Sequence, residues 1–372
     1  MRKFLVLMVV FTALYGVTIT LNLVKVNAAA TSVDPVEVVE SSAERLVLQL
    51  TLPDYVIDSV EMLDGNRYQM FSVEGAGYPP EGKPDVPVFI RSILVPNGRN
   101  LILEVDPGDP EIIYDDILLN SVQVPYADLE DSPISDFVKD EETYANDGIY
   151  PGVWAEIEAV EVMRGQEMVE VRFYPYQHNP VEETLYIYPN LRVTIIFEGD
   201  IQPIPYRLQS EIFEDIYRRE AINADEILEA EQAVETPAEP KYGPYGWDYL
   251  IFTDPDFEQA ANKLAAWKQK MGYKTLVTKV PKKWGAQDIK DALVDAYYNW
   301  DTAPEYVLLI GDAEHIPPFY KTWHSYNSTK YKGNKNTQGR VGTDLYYSTL
   351  ESKGEIINPD GDLVPEVLLG RL

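Results

Sequence analysis

Apolar residues alternate with polar ones through most of the first half of the chain. RLVLQLTL at 45–52 places them at every second position, and YQMFSVEG, VPVFIRSILVP, NLILEVDP, MVEVRFYPY and LRVTIIFEG follow the same scheme. Breakers punctuate the runs: Asp64-Gly65, Pro79-Pro80, Pro96-Asn97-Gly98, Asp106-Pro107-Gly108 and Asn179-Pro180. Many short strands with Pro/Gly/Asn turns at regular spacing predict an antiparallel β-sandwich over residues 36–200. No repeat of fixed period is visible, which argues against a propeller or solenoid.

The period changes after residue 205. Ile212, Ile216, Ile222, Ile227 and Leu228 lie among charges at helical spacing, and an Ala/Glu/Pro run at 229–240 follows, predicting a surface helix and a solvated linker. From Trp247 strands alternate with helices. WDYLIFT is an apolar strand, and Asp254-Pro255 starts a helix as N-cap and first helical residue. Phe257, Ala260, Ala261, Leu264, Trp267 and Met271 share one predicted face, with Gly272 to stop it. KTLVTKV is a second strand. Ile289, Ala292, Leu293, Ala296 and Trp300 mark a second helix, and YVLLIGD is a third strand. This is a βαβαβ unit on a parallel sheet. The segment DGDLVPEVLLGRL ends the chain on an apolar strand that needs covering neighbours, so the α/β unit reads as incomplete. The fold class is therefore multidomain: a leader at 1–30, a sandwich at 31–204, a helical and acidic linker at 205–241, and the first part of an α/β domain at 242–372.

Charge sharpens this division. Residues 31–240 carry 12 basic and 44 acidic side chains, whereas residues 241–372 carry 16 and 17. So acidic a chain is a poor partner for nucleic acid, since phosphate binding needs excess Lys and Arg. Acidity is also what keeps an exported protein soluble. Export is predicted by the N-terminus, where Arg2 and Lys3 precede the apolar run 4–14 and Ala28, Ala29 and Ala30 offer A-x-A-like cleavage. An uncleaved leader would leave the protein on a membrane; otherwise no membrane contact is expected. The 372 residues contain no cysteine, which excludes disulfides, thiolate metal sites and a sulfur nucleophile within them.

Three histidines offer little obvious chemistry. His178 reads as a loop residue between strands, and His324 falls in a long loop rich in aromatics and lysines beside the sequon Asn327-Ser328-Thr329. His315 follows Asp312 by three residues, just past a strand end, where catalytic groups collect in open α/β sheets. Such a pair suits acid–base work, yet no G-x-S-x-G elbow or HExxH accompanies it. Asp360, Asp362 and Glu366 offer hard oxygen ligands in a Gly-containing turn; the pattern suits calcium and equally suits a solvated acidic turn.

The succession YVLLIGDAEHIPP (306–318), TDLYYSTL (343–350) and DGDLVPEVLLGRL (360–372) resembles the start of the catalytic domain of the gingipain family of cysteine peptidases. YLIFTDPDFEQAANKLAAWKQKMGYKTLVTKV is similar to that family's first strand, helix and second strand. The acidic sandwich resembles its propeptide, most clearly in VEVRFYPYQHNPVEETLYIYPNLRVTIIFEG and GKPDVPVFIRSILVP. The resemblance implies an exported zymogen precursor, a caspase-like α/β fold, a protein or peptide substrate for the whole enzyme, and a prodomain that contacts and restrains the catalytic domain. It implies a calcium ion held by Asp312, Asp362, the Val364 carbonyl and Glu366, with a processing point near Lys241-Tyr242. The family's catalytic His and Cys lie beyond the Gly370-Arg371-Leu372 motif, so these residues are expected to be inactive alone. The alternative is a secreted, non-catalytic protein whose sandwich binds a partner or inhibits a peptidase. A further alternative is a calcium-stabilised adhesin.

Overall fold

The computed structural model describes residues 34–62, 65–123, 137–234, 246–322, 340–350 and 364–372. The leader, His324, Asn327, Lys241-Tyr242 and Asp362 lie outside them. Pro35–Leu372 forms one compact unit.

Among the described residues the first half supplies β1 (Val36–Ser41), β2 (Arg45–Thr51), β3 (Tyr55–Glu61), β4 (Arg67–Val73), β5 (Phe89–Val95), β6 (Asn100–Asp106) and β7 (Ile112–Tyr114). After the short α1 (Glu141–Ala145) come β8 (Ala155–Met163), β9 (Gln166–Phe173), β10 (Tyr176–Asn179), β11 (Thr184–Ile187) and β12 (Asn190–Glu198). An antiparallel sheet ordered β1-β2-β12-β6 faces a second ordered β5-β9-β8. The alternation dictates what lies between them. Leu46, Leu48, Leu50, Val193 and Ile195 from one sheet meet Phe89, Ile93, Val169, Val171 and Phe173 from the other, all at most 2% exposed. A hairpin of β3 and β4 and a sheet ordered β10-β11-β7 enclose a smaller core of Phe71, Tyr176, Leu185 and Ile187.

His178 departs from expectation. It is fully buried in β10, with Nε2 2.9 Å from the Ile117 carbonyl oxygen. Burial pushes its imidazole down to about 4. Alternation in this short strand is hidden because all four of its residues are buried.

The predicted surface helix is two helices, α2 (Glu211–Glu220) and α3 (Ala224–Gln232). They bury Phe213, Tyr217, Ile227 and Leu228 with Leu94 and Met163 of the sandwich and Val364 near the end of the chain. Asn223 between them exchanges hydrogen bonds with the backbone of Leu94: its Oδ1 accepts the N–H at 2.8 Å and its Nδ2 donates to the carbonyl at 2.9 Å. The stretch expected to be a surface helix is therefore a cemented layer, and residues 235–240 of the expected linker lie outside the described residues.

The second half alternates as expected: β13 (Tyr249–Thr253), α4 (Glu258–Lys270), β14 (Thr275–Lys279), α5 (Ala286–Asn299) and β15 (Tyr306–Ile310), with the hairpin β16 (Phe319–Thr322) and β17 (Arg340–Thr343) before β18 (Leu368–Arg371). The sheet is parallel throughout, ordered β14-β13-β15-β18. On one face α5 packs Ile289, Leu293, Ala296 and Tyr297 against Leu250, Phe252, Val307 and Leu309. On the other face α4 lays Ala261 and Ala265 on Tyr249, Ile251, Leu308 and Ile310. The predicted face of α4 is thus rotated, leaving Trp267 and Met271 more than half exposed. Small alanines let the helix sit close to the sheet, while Lys268 spans the Tyr249 ring at 4.6 Å. Asp254 caps as expected, its carboxylate accepting the Asp256 N–H at 2.8 Å, and Gly272 ends α4 at φ +103°.

Candidate functional sites at the two ends of the parallel sheet

Gly311 breaks β15 with φ +138°, where a Cβ would lie 2.8 Å from the His315 Cβ, so the tight turn requires glycine. That turn brings Asp312 and His315 together past the carboxyl end of the strand. His315 Nδ1 is 2.8 Å from Asp312 Oδ1, and its ring lies 4.9 Å from that of Phe257. The hydrogen bond to Asp312 raises the imidazole above its ordinary value, and the same bond holds the Asp312 carboxyl down. Both groups face solvent and can exchange a proton with it.

Arg371 ties this edge together. Its Nε and Nη2 donate to the two oxygens of Asp344 at 2.7 and 2.6 Å, while Nη1 donates to the carbonyls of Gly311 and Ile316, each at 2.8 Å. A planar guanidinium suits this mixture of forked and lateral donation. The three segments singled out in the sequence as a succession are thereby joined in space: 306–318 by its carbonyls, 343–350 by Asp344, and 360–372 by Arg371. Sequence reasoning did not assign Asp344 or Arg371. Their signal was a single cation closing an apolar strand and a single acid ahead of an aromatic pair.

Of the expected calcium ligands, Asp312 does not meet Val364 and Glu366. Tyr306 pairs with Leu368, so Glu366 lies at the amino end of the sheet and Asp312 beyond its carboxyl end. They are separated by at least the strand's length, about 17 Å for five residues. Glu366 is fully buried and its carboxylate accepts the Leu350 N–H, while Val364 is packed with Leu94, Met163 and Phe213. Among the described residues no group of three or more His, Asp or Glu could hold a metal ion. Asp312, Val364 and Glu366 do not fit one calcium cage here.

At the amino end a side chain of the sandwich makes polar contacts with the segments that enter the sheet. Met163 pairs with Gln166 across a two-residue turn in which Arg164 (φ +49°) and Gly165 (φ +79°) both adopt the left-handed conformation of a primed hairpin turn. Such a tip is normally exposed, yet Arg164 is only 1% exposed. Its Nε donates to the Leu208 carbonyl at 3.1 Å, and Nη1 to those of Pro304 at 2.8 Å and Glu366 at 3.0 Å. Nη2 lies 3.4 Å from the Ala303 carbonyl, and the guanidinium carbon is 4.8 Å from the Phe213 ring centroid. Burial pushes the guanidinium below its ordinary value, while tyrosines and Glu305 and Glu366 work the other way. An Arg-Gly pair between alternating runs signals a turn in sequence, but not that its tip is an anchor.

Comparison with known proteins assigns these halves. The C25 propeptide family model matches residues 27–230, more than half of the chain, and the peptidase family C25 model matches 243–372. The chain belongs to the gingipain family, peptidase family C25. Lys-gingipain of Porphyromonas gingivalis is 23% identical over 323 residues, covering 83% of this chain and 17% of its own length. Gingipain R2 of the same species is 26% identical over 251 residues, covering 66% of this chain and 33% of its own. This gingipain-family chain thus spans a sixth to a third of those curated relatives. A solved complex of P. gingivalis RgpB pro- and mature domains matches 51% of this chain and 98% of that one, at 22% identity and a TM-score of 0.44. In the gingipain-family chain described here, Arg164 belongs to the propeptide segment and its acceptors Ala303, Pro304 and Glu366 to the peptidase segment. The contact is between propeptide and peptidase residues within one polypeptide.

Proposed function

We propose that this chain is the exported propeptide and amino-terminal peptidase portion of a gingipain-type zymogen, whose complete form hydrolyses peptide bonds with a cysteine nucleophile supplied outside these 372 residues. The observation that carries this reading is the Arg164 anchor, through which propeptide-matching residues are buried in peptidase-matching ones. The anchor engages the amino end of the parallel sheet. It leaves the carboxyl end, with Asp312, His315 and the Arg371 clamp, as the side on which substrate and catalytic groups would gather. In the complete enzyme a thiolate attacks the peptide carbonyl and an imidazole carries the proton to the leaving amine. These residues hold no thiol, so they act as scaffold and restraint. Among the described residues no helix is long and apolar enough to cross a membrane, and the basic, then apolar leader supports export.

Two measurements test the proposal. Purified 1–372 is expected to show no iodoacetamide-sensitive peptide hydrolysis, and the coding frame is expected to continue into a His-Gly and a later Cys. Thiol-dependent cleavage by the purified chain would refute the scaffold role. A stop codon directly after Leu372, together with tight binding to an active peptidase, would replace it with the non-catalytic inhibitor reading.

A further inference from the structure

Because Ala261 and Ala265 take the sheet side of α4, an apolar row is left on its flank. Leu264, Trp267 and Met271 recur at i, i+3 and i+7 and so share one side of the helix. Leu264 is half-buried, whereas Trp267 is 54% and Met271 53% exposed. The charge around this row is of one sign. Residues 259–283 contain seven lysines and no acidic side chain, in a chain whose net charge is −30. Lys268 lies over the Tyr249 ring, and Lys279 pairs with Glu258 at 3.3 Å. Lys263, Lys270 and Lys274 are exposed and make no ion pair among the described residues. By the helical period Lys263 and Lys270 border the apolar row along one side.

The sandwich carries a surface of the opposite sign. β6 is an edge strand, and its alternation leaves Asn100, Ile102, Glu104 and Asp106 exposed along one side. Ile102 is 41% exposed and pairs across the sheet with Ile196. Glu104 and Asp106 make no ion pair among the described residues, although Arg192 stands opposite Asp106. Asp109 and Glu111 follow along the chain, and Glu198 lies opposite Asn100. An apolar residue bordered by carboxylates thus matches an apolar pair bordered by lysines. The two rows also match in length: α4 advances about 12 Å from Lys263 to Met271, and β6 about 14 Å from Ile102 to Asp106.

We propose that α4 of one copy docks on β6 of a second copy of this chain, with Trp267 and Met271 against Ile102, and Lys263 and Lys270 against Glu104 and Asp106. The contact is independent of any peptidase activity. It joins two different surfaces, so copies associate head to tail. A symmetric contact of α4 with α4 sets Lys263 and Lys270 against their own counterparts and is opposed by like charge. An anionic lipid surface is the poorer occupant: it satisfies the lysines but leaves Ile102 and the β6 carboxylates without a role, whereas a second copy engages both surfaces. Attraction between such exposed charges reaches about 8 Å at physiological ionic strength, so the facing patches outweigh the net repulsion of two acidic chains, and added salt weakens the contact.

Sedimentation velocity of the purified full chain is the test. The mean mass is expected to rise with protein concentration at about 20 mM salt, and the association constant to fall about tenfold or more at about 500 mM. Trp267→Ala should weaken association several-fold. Lys263→Glu with Lys270→Glu, and separately Glu104→Lys with Asp106→Lys, should each give a monomer with the circular dichroism of the parent, since all four side chains are exposed. An equimolar mixture of the two charge-reversed chains should associate again, because each presents the sign the other lacks. A chain that stays monomeric at low salt, association unmoved by salt or by either reversal, or a mixture that does not recover would each overturn the proposal. Lysine-dependent sedimentation with phosphatidylglycerol vesicles, by a chain that is monomeric without them, would overturn it in favour of a lipid surface.

Discussion

Removing the Arg164 guanidinium tests whether the sandwich holds the sheet by a specific contact or merely lies against it. Three carbonyls, those of Leu208, Pro304 and Glu366, accept at 2.8–3.1 Å. An acceptor stranded in the interior costs about 1–3 kcal/mol. A cavity of about 550 Å³ adjoins Arg164 and admits water to soften that loss, so about 1 kcal/mol for each carbonyl is the appropriate figure. Loss of the Phe213 ring contact adds about 1 kcal/mol. Arg164→Ala should therefore destabilise by about 4 kcal/mol. Arg164→Gly removes the same contacts but relieves a left-handed residue, worth about 1 kcal/mol, and should lose about 3. Arg164→Lys keeps the charge on one nitrogen that cannot reach carbonyls on three segments, and should lose about 2 kcal/mol. Urea unfolding followed by tryptophan fluorescence gives the totals. Hydrogen exchange locates them: amides of Leu368 and Tyr306 should exchange roughly 100-fold faster in R164G, since 1.4 kcal/mol is a factor of ten. Three variants within 0.5 kcal/mol of the parent, with unchanged exchange in β18, would refute the anchor.

Other substitutions separate the remaining claims. Asp85 is 6% exposed, and burial pushes its carboxyl up to about 6; a raised acid contributes stability below its unfolded value near 3.8 that is lost as pH rises through 6. Asp85→Asn should therefore stabilise by about 2–3 kcal/mol at pH 7 and by nothing at pH 3.5, measured by urea midpoint. His178 has the opposite sign: its lowered imidazole favours the fold above pH 6.5, and about 3 kcal/mol is lost as pH falls from 6.5 to 4, a slope that His178→Gln should remove while keeping a donor for the Ile117 carbonyl. Gly311→Ala forces an L side chain into φ +138° against His315 and should lower stability by at least about 1–3 kcal/mol in a thermal melt. Asp344→Asn breaks the forked contact to Arg371 and should cost about 1.5–3 kcal/mol, largely non-additive with Arg371→Gln in a double-mutant cycle.

Much of the architecture was legible because each half repeats a short-range rule. In RLVLQLTL the even positions must share a side, and in the structure Leu46, Leu48 and Leu50 do so at 0% exposure. YVLLIGD, apolar on both faces, could only be an interior parallel strand, and β15 lies between β13 and β18. Where one face was ambiguous the reading slipped. In α4, large apolar residues outvoted the alanines that pack on the sheet, because periodicity weighs hydrophobicity and not the closeness with which a helix can approach. His178 was misplaced for a related reason: a four-residue strand buried on both sides has no polar phase to reveal it.

Local pattern by itself thus determined an alternating acidic sandwich, a helical segment, and a parallel α/β unit punctuated by Gly311, and the ordered succession of motifs carried the family. Tertiary structure alone decided which distant residues became partners. Arg164 reaches the Pro304 and Glu366 carbonyls, 140 and 202 residues further along; Arg371 closes on Asp344; and strand register keeps Asp312 and Glu366 at opposite ends of one sheet. Periodicity records which side of an element is wet or dry. The direction in which a buried charge finds its acceptors is set by how whole layers are stacked, and a one-dimensional pattern carries no term for that.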